Sequence, residues 1–275
     1  MPELPEVETV KRALTPYLEN TVLSSVITRR KGLRVPFPEQ FSEKLSGKRI
    51  INITRRGKYL LIYLEEDLVL IIHLGMSGHI RVLQKNIPIP GKHDHIDFIT
   101  QKGVTIRYND PRRFGIVTLA KREFIGSHKL LKNIGPEPLS NNFNAVVLMK
   151  NLNGRNLTIK CALLDQKIVA GLGNIYVSES LFRSRISPKR LSKNIGIKKA
   201  EELVKIIRIV LTDAINAGGS TLNDHRRPDG KLGYFQHQFF VYGKNGELCG
   251  HCKKVKIKKI IQAGRSTFFC SNCQR

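Results

Sequence analysis

The chemistry this sequence can do is concentrated at its two ends, in Pro2 and Glu3 and in four late cysteines. A chain that loses its initiator Met1 begins with proline, a secondary amine. A terminal α-amino group ordinarily titrates near pH ~8 and a lysine near ~10.4, so at neutral pH the terminal amine is more often unprotonated. Such an amine attacks an aldehyde-level carbon and forms an iminium ion, which stays positively charged without holding a proton. That ion is an electron sink, as a lysine Schiff base is. Glu3 stands beside it, placed to move protons, and Glu6 follows one turn on. Taken alone, these residues are better described as an ordinary first helical turn.

Cys249-Gly-His-Cys252 and Cys270-Ser-Asn-Cys273 are two C-x-x-C pairs separated by residues 253–269. This spacing fits one structural zinc ion held by four thiolates, with no coordination position open for catalysis. The other use is a pair of disulfides, which a cytoplasmic chain disfavours. His251 is an alternative ligand. Cys161 lies apart in an apolar helical pattern and reads as a buried thiol.

These groups need a scaffold. Val7, Val10, Leu14 and Leu18 fall at helical spacing with Pro5 in the first turn, which predicts a helix over 5–18. From about residue 21 to about 120, β-rich runs such as "LVLIIHLGMSGHIRVL" and "GVTIRYNDPRRFGIVTLA" alternate with turn residues. They predict a sandwich or barrel behind the leading helix. "LLKNIGPEPLSNNFN" is rich in turn formers and marks a boundary. Four helical stretches follow: "FNAVVLMKNL", "CALLDQKIV", "NIYVSESLFRSR" and "KKAEELVKIIRIVLTDAINAGG". "VAGLGN" is a tight turn between two of them. The expected class is α+β: a helix and β-sandwich over 1–130, a linker over 131–142, a helical domain over 143–235, and a ββ zinc finger over 236–275.

Lys plus Arg number 47 against 22 Asp plus Glu, a net charge of +25. A surplus spread along the whole chain points to a folded basic groove and a polyanionic partner. No apolar run reaches the ~18 residues of a membrane span, and the N-terminus has no secretory pattern. A cytoplasmic monomer is expected.

The motifs together resemble one family, the bacterial formamidopyrimidine-DNA glycosylases. They are "PELPEVETV" at 2–10, "RRGKYLL" at 55–61, "HLGMSG" at 73–78, "KHDHIDF" at 92–98, "DPRRFG" at 110–115 and "LLDQKIVAGLGNIYVSE" at 163–179. "DGKLGYFQ" at 229–236, "VYG" at 241–243 and "GRSTFFCSNCQ" at 264–274 complete the series, in the family's order and across nearly the whole chain. The resemblance implies a bifunctional glycosylase and lyase acting on oxidised purines in double-stranded DNA. It makes Pro2 the nucleophile at C1′, Glu3 a proton donor with Glu6 in support, and Lys58 the proton donor for β-elimination. Arg265 takes the position assigned to δ-elimination, although a guanidinium rarely gives up a proton and clamps phosphate more easily.

A damaged base must leave the stack to be reached. By resemblance Met76, Arg112 and Phe114 fill the gap, with Arg112 bonding the orphaned partner base. Arg155, Lys160 and Asn174 belong to a helix-two-turn-helix element that grips DNA, and His93 matches a further DNA contact. In a strand His93 and His95 would share one face, and no third ligand makes them a metal site. The loop from Thr221 to Phe235 resembles a flap over the extruded base. Lys253 stands where the family has glycine after the second cysteine, and the stretch from Cys252 to Arg265 is one residue longer than usual. The alternatives are an endonuclease VIII-like enzyme for oxidised pyrimidines and a zinc-finger DNA-binding protein without catalysis.

Overall fold

The computed structural model describes residues 2–220, 228 and 233–275. The expected first helix forms as α1 (Leu4–Leu18) and buries Val7, Val10 and Leu14 completely. Its start is capped: the Glu3 N–H donates to Glu6 Oε2 at 2.8 Å, and Pro5 sits where no backbone donor is required.

Then come β1 (Leu23–Thr28), a short α2 (Phe41–Leu45), β2 (Ile50–Arg56), β3 (Tyr59–Leu64) and β4 (Leu68–His73). They are followed by β5 (His79–Leu83), β6 (Asp94–Thr100), β7 (Thr105–Asn109) and β8 (Ile116–Lys121). These strands make two four-stranded antiparallel sheets, β1-β6-β7-β5 and β2-β3-β4-β8. The two sheets stay separate, so the architecture is a sandwich and not a closed barrel. Leu14 and Leu18 of α1 share one core with Ile62, Leu70 and Ile72 from one sheet and Ile80, Phe98 and Ile106 from the other.

Register sets the position of two loops. His73 pairs with Ile116 across β4 and β8, and His79 pairs with Asn109 across β5 and β7. Residues 74–78 and 110–115 therefore cross between the sheets side by side, each bracketed by paired strands.

The second set of elements is α3 (Ala145–Leu152), α4 (Ile159–Leu164), α5 (Asn174–Arg183), α6 (Ile197–Asn216), β9 (Lys258–Gln262) and β10 (Arg265–Phe269). α4 is shorter than its apolar pattern predicts. Asp165 takes an extended backbone, and its Oδ1 accepts the Lys167 N–H at 2.9 Å, a local turn that competes with the helix. Gln166 then staples the glycine turn: its Oε1 accepts from Gly171 N–H and its Nε2 donates to Leu172 O, both at 2.8 Å.

By compactness the chain divides into Met1–Lys132 with Ala217–Tyr234, and Asn133–Asn216 with Phe235–Arg275. Within the loop expected as a flap, residues 221–227 and 229–232 lie outside the described residues. No helix among the described residues is long and apolar enough to cross a membrane.

Candidate active site and metal centre

Pro2 and Glu3 lie buried at the head of α1, with Glu3 2 % exposed. Glu6 holds backbone on two sides. Its Oε2 caps Glu3, and its Oε1 accepts from the Ser220 N–H at 2.8 Å and the Ser220 hydroxyl at 3.0 Å. Gly219, at φ 81°, comes so close that a Cβ there would lie 3.2 Å from that same oxygen. The Glu6 carboxylate thus accepts hydrogen bonds from both Glu3 and Ser220.

Lys58 sits in the two-residue turn between β2 and β3, behind Gly57 at φ 55°. A Gly-X turn suits the twist of such a hairpin. The lysine is 7 % exposed. Its charge reaches His73, a residue whose role the sequence does not announce. Burial above all, then the Lys58 and Arg34 charges, lower the His73 pKa to about 4. Its Nδ1 accepts the Gly75 N–H at 3.1 Å, and the Tyr59 ring lies 4.8 Å away. A neutral imidazole that accepts at Nδ1 carries its proton on Nε2. Lys58 therefore faces a neutral histidine and not a second cation.

Met76, Arg112 and Phe114, the residues expected as the wedge, stand on the two crossing loops. Met76 is 42 % exposed and Phe114 45 %, large for apolar side chains, and the Arg112 guanidinium lies 4.8 Å above the Phe114 ring. The two motifs are thus brought together, with their apolar and cationic groups on the surface.

His93 is exposed, while His95 is buried with its Nε2 2.9 Å from Asp110 O. The expected shared face does not exist. β6 begins only at Asp94, and its ladder with β7 shifts register between Asp94 and Ile96, which breaks the alternation.

In the second unit Arg265 is exposed at the start of β10, just past the Ala263-Gly264 turn. The next residue is anchored. Ser266 O accepts from Asn174 Nδ2 at 2.8 Å and Lys160 Nζ at 3.4 Å. Lys160, expected as a DNA contact, is completely buried. Burial chiefly, with Arg265 nearby, lowers its pKa to about 8. Its position is behind the hairpin tip. Arg155 donates to Asn151 O at 2.9 Å and lies 3.3 Å from Asp165, so it braces the turn after α4. Glu179, buried in α5, accepts three backbone N–H groups from Phe240, Val241 and Tyr242 at 2.8–3.0 Å and ties that helix to the "VYG" stretch.

The four cysteine sulfurs all lie within 4.8 Å of one another, with 3.9 Å between Cys249 and Cys273 and 3.7 Å between Cys252 and Cys270. Zn–S bonds of ~2.3 Å at tetrahedral angles place sulfurs about 3.8 Å apart. A disulfide requires about 2.05 Å. The cluster fits one zinc ion and is incompatible with disulfides in this arrangement. His251 is exposed and outside the cluster. Cys161 is partly exposed, not the fully buried thiol expected from its pattern.

Profiles of the formamidopyrimidine-DNA glycosylase N-terminal domain, the same enzyme's H2TH domain, and a zinc finger found in FPG and IleRS match residues 1–117, 134–226 and 246–275. The chain is 52% identical over 282 residues, all of both chains, to the formamidopyrimidine-DNA glycosylase of Rhodospirillum rubrum.

The chain belongs to the formamidopyrimidine-DNA glycosylase family.

Solved structures of the family agree. A crystal structure of the MutM (Fpg) protein from Thermus thermophilus superimposes with a TM-score of 0.89, at 38% identity over 99% of this chain and 98% of the other. A complex of wild-type Lactococcus lactis Fpg with DNA containing N7-benzyl-Fapy-dG gives 0.91, at 37% identity over the whole of both chains. Membership in this glycosylase family sets aside a zinc-finger binder without catalysis. The expected α+β class with an H2TH region and a four-cysteine finger holds.

Proposed function

We propose that this glycosylase excises oxidised purines, 8-oxoguanine and formamidopyrimidines, from double-stranded DNA through a covalent intermediate at Pro2, and then cuts the strand. The observation that carries the reading is its end-to-end similarity to formamidopyrimidine-DNA glycosylases.

With Met1 removed, the Pro2 nitrogen attacks C1′ of the damaged nucleotide and the base leaves with a proton. Glu3 protonates the ring oxygen as the sugar opens, and the nitrogen and C1′ form an iminium ion. The iminium acidifies the proton on C2′. Its loss breaks the C3′–O bond, and a second elimination breaks the C5′–O bond. Water then releases Pro2. Lys58, held by its turn beside a neutral His73, serves the first elimination. Arg265 holds phosphate from the hairpin tip, a role its exposure favours over acid chemistry.

Met76, Arg112 and Phe114 enter the space left by the flipped nucleotide, while Asn174, Arg155 and His93 hold the backbone. Lys160 contributes through Ser266. Zinc, held by Cys249, Cys252, Cys270 and Cys273, fixes the hairpin that presents Arg265 and takes no part in bond breaking.

The test is product analysis on matched duplexes carrying 8-oxoguanine or thymine glycol. Faster release of 8-oxoguanine is expected; preferential release of thymine glycol would move this chain to the oxidised-pyrimidine chemistry.

A further inference from the structure

Asp110 is completely buried in the loop that carries Arg112 and Phe114. Its carboxylate is directed at loop backbone and at the neighbouring loop. Oδ1 accepts from the Ser77 hydroxyl at 2.6 Å, and Oδ2 accepts the Gly115 N–H at 2.8 Å. Ser77 Oγ in turn accepts the Arg112 N–H at 3.1 Å. The Asp110 carbonyl accepts the Arg113 N–H at 3.2 Å, with His95 Nε2 2.9 Å away. Ser77 adjoins Met76, and Gly115 adjoins Phe114. Arg112 is therefore held at its own N–H through one hydroxyl, Phe114 through the N–H of the next residue, and Met76 through the side-chain hydroxyl of the next residue.

The loops also leave no slack. A Cβ on Gly75 would lie 2.5 Å from the Phe114 backbone, and one on Gly115 would lie 1.9 Å from the Tyr108 hydroxyl. Paired strands bracket both loops, and the Asp110–Ser77 bond joins them between the brackets.

We propose that Asp110 is a positioning residue that holds Met76, Arg112 and Phe114 as one preformed block, so that they enter the base stack without first being ordered. The proposal rests on reading those three side chains as the wedge. A carboxylate is needed because it is acceptor-only at both oxygens. An amide of the same shape keeps its oxygen on the Gly115 N–H only by turning its N–H to Ser77 Oγ, so the Ser77 hydroxyl loses the oxygen it donates to on this loop. Preorganised geometry is what a step of this kind demands, and a displacement of about 1 Å is enough to cost rate.

The experiment compares two substrates under single-turnover conditions. One is duplex DNA with 8-oxoguanine, where a base must be extruded and replaced. The other is single-stranded DNA with an abasic site, where no stack has to be entered. Asp110→Asn is expected to slow duplex excision by about tenfold or more, while single-strand nicking stays within about twofold. Ser77→Ala, which leaves the buried carboxylate in place, is expected to show the same pattern more weakly and decides the matter if Asp110→Asn does not fold. A parallel fall on both substrates, or no fall on either, overturns the proposal. Met76→Ala with Phe114→Ala separates the two layers. If that pair leaves duplex excision unchanged, the wedge reading fails and this inference falls with it. If the pair slows excision while both Asp110→Asn and Ser77→Ala are silent, only the role of Asp110 fails.

Discussion

Lys58 owes its place to Gly57, whose φ of 55° lets the β2–β3 turn fold without strain and leaves the lysine buried between two strands. Lys58→Ala is expected to slow strand cleavage at an abasic site by about 10²-fold, the usual worth of a positioned proton-transfer group. Unchanged nicking in a timed gel assay would remove that role. His73 gives a pH dependence. Its folded pKa of about 4 lies below the ordinary histidine value, because of burial and then the Lys58 and Arg34 charges. The unfolded chain therefore binds the extra proton between pH 6.5 and 4. Stability is intact above pH 6.5 and falls as the pH drops through this window, by about 2 kcal/mol at pH 5 for this one group. Urea midpoints at pH 7 and pH 5 should show the loss, and His73→Asn should reduce it; an equal loss in the variant would assign it elsewhere. Pro2 and Glu3 stood out only through the family resemblance, whereas the cysteines were legible because their chemistry depends on residue type and spacing. Asp110 was not, since "DPRRFG" reads as a turn with exposed arginines and nothing in it marks a buried carboxylate. Nor was Ser266, whose contribution is a backbone carbonyl.

The hairpin of β9 and β10 depends on a small core of Phe182, Val241, Cys249, Ile257, Phe268 and Cys270. So little apolar burial leaves the metal as its main support, and structural zinc contributes on the order of 10 kcal/mol to isolated fingers. Cys249→Ala should thus release zinc and abolish excision while the sandwich still melts cooperatively; full excision by the variant would contradict this. The departures seen in the sequence have a local shape. Lys253 adopts φ 51°, the left-handed backbone that the family's usual glycine takes without strain, and Ala263 adopts φ 47° beside Gly264 at 71°. Two successive positive angles make the turn that asparagine-glycine favours. Lys253→Gly and Ala263→Asn are each expected to steady the finger by about 0.5–1 kcal/mol, seen as slower zinc loss to a chelator. Faster loss would mean that these side chains make contacts which outweigh the backbone strain. Strong periodicity made α1, α3, α5 and α6 readable in advance. The end of α4 was not, because Leu-Leu-Asp-Gln-Lys-Ile-Val keeps an apolar period while Asp165 and Gln166 turn the backbone through side-chain bonds.

A net charge of +25 on 275 residues gives the whole molecule its affinity for a polyanion and makes that affinity depend on salt. If six or more phosphates are neutralised, DNA binding should weaken by about 10³-fold or more between 50 and 200 mM salt. A flat response in a filter-binding or anisotropy titration would show that the basic surplus serves another purpose. Charge bears on association; the proposed chemistry is assigned to the buried start of α1, where Pro2 and Glu3 lie. The most direct test of that assignment is borohydride trapping on an 8-oxoguanine duplex, with the adduct mapped by peptide mass. The expected result is a single covalent adduct on Pro2 that disappears when the terminal amine is acetylated or Met1 is retained. Undiminished trapping and strand cleavage with that amine blocked, or an adduct mapped to a lysine, would contradict it.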